Sequence, residues 1–182
     1  PREVHKKGDH KAGQQGGFDA RPLLQMALEG HDVGLVSEAG MPAVADPGSS
    51  VVRAAHDLGL QVVPLVGPVS LLLTLAASGL NGQNFAFVGY LPQDAGERAA
   101  RLRQLESLAL KTGQTQLWIE TPYRNPAMLG ALLQTLQPNT RLAIASGLTL
   151  ASASIQSRSV AAWKKSLTGP DAQTPAVFAI GA

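Results

Sequence analysis

Of the 182 residues, 45% are hydrophobic and 15% charged, a balance that excludes global disorder and leaves enough apolar mass for a real core. No apolar run reaches the roughly eighteen residues a membrane helix needs; the richest, Val62 to Leu80, is broken by Pro64, Gly67 and Pro68. The absence of cysteine removes disulfides, thiolate metal ligands and thiol nucleophiles, and a net charge of +2 with pI near 9.2 is a mild basic bias compatible with an RNA partner.

Residues 1 to 17 hold three lysines, two histidines and GQQGG, which reads as a flexible tail or loop. Their charge and lack of an apolar stretch exclude a signal peptide, so a cytoplasmic location is the expectation. From Asp19, the spacing of Leu23, Leu24, Ala27 and Leu28 predicts a helix that stops at Gly30. VGLV (Val33 to Val36) is a short apolar strand of the kind buried in parallel sheets. Ser49 or Ser50 can cap a helix with the stripe Val51, Val52, Ala55 and Leu58. Gln61 to Pro68 predicts the next strand, and Ser70 to Ser78 a helix ending at Gly79. Strand, helix, strand, helix with short loops predicts parallel βαβ units.

After Asn81 to Asn84 the pattern changes. FAFVGYLP alternates as a strand, and Asp94 with Glu97 forms a capping box before a long helix carrying Leu102, Leu105, Leu108 and Leu110. TQLWIE (Thr115 to Glu120) reads as a strand, followed by a helical region with Asn125 as cap and Pro126 at its first position. RLAIAS (Arg141 to Ser146), SIQSRSV (Ser154 to Val160) and PAVFAIG (Pro175 to Gly181) predict three more strands. The expected organisation is a tail over 1–17, an incomplete N-terminal α/β domain over 18–83 with a mostly parallel sheet, and a C-terminal α/β domain over 84–182 with a mixed sheet.

Constellations for catalysis are sparse. The four histidines have no ligand spacing to one another or to acids, so no metal site is expected. There is no Walker A loop, GxSxG or GxGxxG. Three small-residue loops lie at expected strand ends, where ligands of open parallel sheets bind: SEAGMPAVADPG (37–48), VGPVS (66–70) and ETPYRN (120–125). In the first, Ala39 and Gly40 allow close backbone approach, and Pro42 and Pro47 set the chain path. Asp46-Pro47-Gly48 reads as a turn and helix entry, leaving Glu38 as the acid of interest. Gly67-Pro68 is either punctuation or the lead-in to free N–H groups at Val69 and Ser70. In the third loop, Glu120, Tyr123 and Arg124 form either a polar pocket or an exposed Arg–Glu pair.

Taken in order, SEAGMPAVADPG, VVPLVGPVSLLLTLAASGL, NFAFVGYLP and IETPYR resemble the tetrapyrrole (corrin/porphyrin) methylase superfamily. Within it, the pattern is most similar to short homologues of the ribosomal small-subunit RNA ribose-2′-O-methyltransferases. The resemblance implies S-adenosylmethionine held in a cleft between two α/β domains, usually in a homodimer, with no metal. It places cofactor contacts at Gly40, Met41, Pro42 and Val44, at Val69 and Ser70, and at Glu120, Thr121 and Ala145. Glu38 is the candidate for a catalytic role near the acceptor, and Arg124 for holding a phosphate or fixing Glu120.

Two departures stand out. The family's first strand and proline/glycine loop have no counterpart, so an N-terminally truncated fold is expected. Where the rRNA branch carries Arg-Glu-Leu-Thr-Lys, this chain reads Ser146-Gly147-Leu148-Thr149-Leu150. The resulting expectation is a methyltransferase acting on ribosomal RNA or another acceptor. The rival is a non-catalytic dimerising α/β remnant. A tetrapyrrole-precursor methylase fits less well, because AGMP stands where those enzymes carry Gly-Gly-Asp-Pro.

Overall fold

A computed structural model of the chain describes residues 19–38, 40–166 and 168–182. The tail expected over 1–17 and Ala39 of the first loop lie outside them. The chain divides into two compact units, Pro1–Val69 and Ser70–Ala182.

In the first unit the predicted opening helix is split. A 3-10 turn over Arg21–Leu24, with Pro22 as its second residue, continues as a single α-helical turn, α1 (Gln25–Leu28). Gly30, at φ +91°, ends it as expected. Helix α2 (Ser49–Asp57) forms, but Gly48 occupies the N-cap and Ser49 is already helical, contrary to the expected serine cap. Ala20, Leu24, Ala54 and Ala55 are buried together, with Val51, Leu58 and Leu60 packed around them.

The two expected strands at 33–36 and 61–68 are not paired into a sheet among the described residues. A strand forms through hydrogen bonds to a neighbour, and these segments have none in a described strand. Their side chains remain in solvent: Val36 is 87% and Val66 fully exposed. The α/β class and the mixed C-terminal sheet are as expected, while no parallel N-terminal sheet is paired among the described residues.

The second unit is a mixed α/β fold built on one five-stranded sheet. Its strands are β1 (Phe85–Phe87), β2 (Thr115–Glu120), β3 (Arg141–Ser146), β4 (Ser154–Ser159) and β5 (Ala176–Gly181). They lie in the order β1-β2-β5-β3-β4, with β1 and β2 parallel and the other pairs antiparallel. Helix α3 (Ser70–Ser78) packs on this sheet and belongs to this unit. The division between the two units falls at Val69/Ser70. Leu71 and Leu75 bury against strands that follow them in the chain, and packing of that kind leaves no mark in local composition.

Helices α4 (Ala95–Thr112), α5 (Asn125–Thr135) and α6 (Val160–Lys165) enclose the main core. Leu102 and Leu105 of α4, Met128 and Leu132 of α5 and Trp163 of α6 meet Trp118, Leu142, Ile144, Phe178 and Ile180 from the sheet. Asp94 caps α4 by accepting the Glu97 N–H at 2.9 Å, as the capping box predicts. The buried stripe of α4 is Leu102, Leu105, Glu106 and Ala109, while Leu108 and Leu110 are 42% and 41% exposed. Positions i, i+3, i+4 and i+7 share one helical face, and 108 and 110 fall off it. Buried Glu106 accepts from the Gln137 N–H at 2.8 Å and the Thr140 hydroxyl at 2.5 Å, tying α4 to the loop before β3.

Candidate functional site

Within the first unit, the loop 37–48 has an unusual backbone. Gly40, Ala43, Ala45 and Gly48 all have positive φ, at 128°, 65°, 57° and 133°. The two alanines sit in the left-handed region, which costs an L-residue roughly 1–2 kcal/mol. Short bonds hold this shape: the Ser37 hydroxyl donates to the Gly40 carbonyl at 2.7 Å, and the Ala43 N–H to the Pro47 carbonyl at 3.2 Å. Backbone held in sparsely populated regions clusters at binding sites.

Gly40 also joins two of the loops. A Cβ there would lie 3.1 Å from the Pro68 carbonyl oxygen, so the second loop passes directly over its bare face. Around it Met41 and Pro42 are half-buried, Val44 is 40% exposed, and Glu38 is exposed. Gly40→Ala is expected to lower stability by about 1–3 kcal/mol, because both φ and contact oppose a side chain. Ala43→Gly, which relieves a left-handed position, is expected to be close to neutral. Urea unfolding of both variants checks the pair, and equal losses would show that the loop is not under backbone constraint.

Val69 and Ser70 stand half-buried at the head of α3, where Ser70 is the first helical residue. Its carbonyl accepts the Thr74 hydroxyl at 2.8 Å.

In the second unit, Glu120 ends β2, and Pro122 begins a 3-10 turn, Pro122–Arg124, that brings the chain back over it. Glu120 Oε1 accepts from the Thr121 N–H at 2.7 Å, the Thr121 hydroxyl at 3.2 Å, Arg124 Nε at 2.9 Å and Arg124 Nη2 at 2.6 Å. The Glu120 side chain is 2% exposed and that of Arg124 18%, so this is a buried ion pair rather than an exposed one. With two guanidinium nitrogens on one carboxylate oxygen, Arg124 orients Glu120. Tyr123, by contrast, is 70% exposed.

Ala145 is not on the Glu120 side. Glu120, Ala176 and Ser146 occupy one cross-strand row, whereas Ala145 pairs with Val177 one residue along. Successive residues alternate across a sheet, so Ala145 and Glu120 face opposite ways.

Asn125 does something the sequence does not reveal. Arg124 occupies the N-cap of α5, and the Asn125 side chain donates instead to the Asp171 and Thr174 carbonyls at 2.9 and 2.8 Å. Its Oδ1 is buried without a partner. Asp171 in turn accepts the N–H groups of Gln173 and Thr174 at 2.8 and 2.6 Å, and these bonds hold its carboxyl below the usual carboxylate range. Beside this loop is a polar cavity of about 200 Å³ lined by Ser146, Ser152, Ser154, Gln156, Trp163 and Asp171. No motif signals it, because its residues converge from β3, the β3–β4 turn, β4, α6 and the loop before β5. Among the described residues, no helix is long and apolar enough to cross a membrane.

A family model for tetrapyrrole (corrin/porphyrin) methylases matches residues 3–161. The chain belongs to that family. A ribosomal RNA small subunit methyltransferase I of Mesorhizobium japonicum is 39% identical to this methylase-family chain over 142 residues, covering 78% of it and 45% of the relative. The protein of the same name from Vibrio cholerae is 33% identical over 148 residues, covering 81% and 49%. The chain thus spans about half the length of the curated relatives it matches. Among solved structures, the methyltransferase CobJ superposes with a TM-score of 0.56 at 22% identity, over 89% of this chain and 69% of its own, a likeness of fold.

Proposed function

We propose that this tetrapyrrole methylase-family chain binds S-adenosylmethionine and transfers its methyl group to ribosomal RNA, acting in the cytoplasm as a homodimer. The observation that carries the reading is the Gly40 cradle. A side chain there would fill the space beside the Pro68 carbonyl, and the four positive-φ positions around it keep the backbone in one shape. With the first and second loops held together at Gly40, their fixed main-chain groups suit a ligand that contacts backbone rather than side chains. The relatives' names favour methyl transfer over a non-catalytic remnant.

When bound, S-adenosylmethionine supplies a methyl group already activated by its sulfonium. The chain's own task is then alignment and removal of one proton. In the first unit the resemblance assigns cofactor contacts to Gly40, Met41, Pro42, Val44 and Val69, and in the second to Ser70, Glu120 and Thr121; Ala145, facing away from Glu120, drops out of that set. Arg124 positions Glu120 through the ion pair. Exposed Glu38, beside the Gly40 loop, is the carboxylate assigned to take the proton of the acceptor hydroxyl.

Isothermal titration of the full chain with S-adenosylmethionine and S-adenosylhomocysteine is expected to give dissociation constants in the micromolar range. Gly40→Ala should weaken both by tenfold or more, and light scattering should give twice the chain mass. Absence of heat together with no thermal shift at millimolar ligand would overturn cofactor binding.

A further inference from the structure

The chain's acidic residues are unevenly placed. None of its thirteen Asp and Glu lies between residues 121 and 170, whereas Arg124, Arg141, Arg158, Lys164 and Lys165 all do. Arg124 is committed to Glu120. The other four cations make no ion pair among the described residues.

The fold collects those four on one rim of the second unit. Arg141 opens β3 and pairs with Ser159, the last residue of the edge strand β4. Arg158 pairs with Leu142, so the two arginines leave opposite faces of that edge. Helix α6 starts at the next residue, Val160, and carries Lys164 and Lys165, both exposed, in its last turn. At 1.5 Å per helical residue, the lysines are within about 9 Å of the strand end along the helix axis.

Neither arginine floats freely. Arg141 Nη1 donates to the Ser157 carbonyl at 3.1 Å and its hydroxyl at 3.3 Å, and the Arg158 guanidinium stacks 5.4 Å from the Trp163 ring centroid. These contacts orient the guanidinium groups without forming an ion pair among the described residues. The edge strand itself reads SIQSRS, with hydroxyls of Ser154, Ser157 and Ser159 along it. Oriented guanidinium groups, flexible lysines and serine hydroxyls are the side chains that contact nucleic-acid phosphates.

We infer that the outer edge of β4 and the end of α6 form a docking surface for the phosphodiester backbone of RNA, with Arg141, Arg158, Lys164 and Lys165 as its charged contacts. This rests on the rRNA reading above for the choice of polyanion. The adjoining cavity favours RNA over a lipid headgroup. It shares Trp163 with the Arg158 stack and contains the buried, unpartnered acceptor Gln156 Oε1, which a ribose hydroxyl or base amine can satisfy.

The test is fluorescence anisotropy of the full chain with a labelled single-stranded RNA across a salt series. The triple variant Arg141→Gln/Lys164→Gln/Lys165→Gln is compared with Arg101→Gln/Arg103→Gln/Lys111→Gln, which removes the same charge from exposed positions of α4. Three lost phosphate contacts should reduce the slope of log K against log salt by about 2 and weaken binding at least tenfold, while the α4 variant changes neither comparably. Equal losses in both variants would reduce the effect to net charge and overturn the site, as would an unchanged slope in the rim variant. Rim-dependent binding to phosphatidylserine vesicles without RNA binding would also overturn it, in favour of a membrane. Titration of the rim variant with S-adenosylmethionine separates the two proposals: loss of RNA binding with cofactor binding intact supports the surface, and failure of the wild-type chain to bind cofactor refutes only the methyl-transfer reading.

Discussion

Phe178→Ala should destabilise the protein by about 3–5 kcal/mol, the range for deleting a fully buried aromatic side chain. Phe178 lies in β5, which is paired on both sides, and it has no solvent exposure. Its ring stacks on that of its cross-strand partner Trp118, with centroids 5.8 Å apart and planes 7° from parallel. Removal therefore loses transfer free energy, leaves a void bounded by α4 and α5, and breaks an aromatic pair worth about 0.5–1.5 kcal/mol beyond its area. Urea unfolding should show a lower midpoint with an unchanged slope. A loss under about 1 kcal/mol would mean that the core collapses around the void, contrary to the close packing described.

Arg124→Ala is expected to cost about 3 kcal/mol, at the lower end of the range for breaking a buried ion pair. The Glu120 carboxylate is the deeper partner, and without Arg124 its donors among the described residues are the Thr121 N–H and hydroxyl. The penalty is the stranded charge, so adding Glu120→Gln to Arg124→Ala should recover about 1 kcal/mol or more. Lack of recovery in the double variant would show that lost packing of the arginine stem, not charge, sets the cost. The same variants read the functional assignment: if Arg124 only positions Glu120, Arg124→Ala and Glu120→Gln should weaken cofactor binding by similar factors, and the double variant by little more than either.

Much of the second unit is legible in the sequence because its signals are local. TQLWIE and RLAIAS are strands from first to last residue, and Asp94 caps its helix three residues before Glu97. Where the reading fails, a long-range term decides. VGLV and QVVPLV have the apolar content of strands, yet content alone does not supply the hydrogen-bond partner that makes one. Asn125 has the chemistry of a helix cap, but the carbonyls of Asp171 and Thr174 compete for its amide across more than forty residues of chain.

The candidate site divides in the same way. Four motifs in order were sufficient, without coordinates, to suggest the family that the family model then matched. The glycines, prolines and the Glu120–Arg124 spacing are properties of neighbouring residues, and neighbours are what a sequence records. Tertiary structure alone decided that Arg124 is bound to a buried Glu120 and that Gly40 lies beneath the Pro68 carbonyl. It also decided that Ala145 faces away from Glu120 and that Arg141 and Arg158 lie in cross-strand register at the β3–β4 edge, just ahead of the lysines of α6. Each of these depends on strand register, burial or the meeting of distant segments, and those are set by the whole chain's packing rather than by any stretch of it.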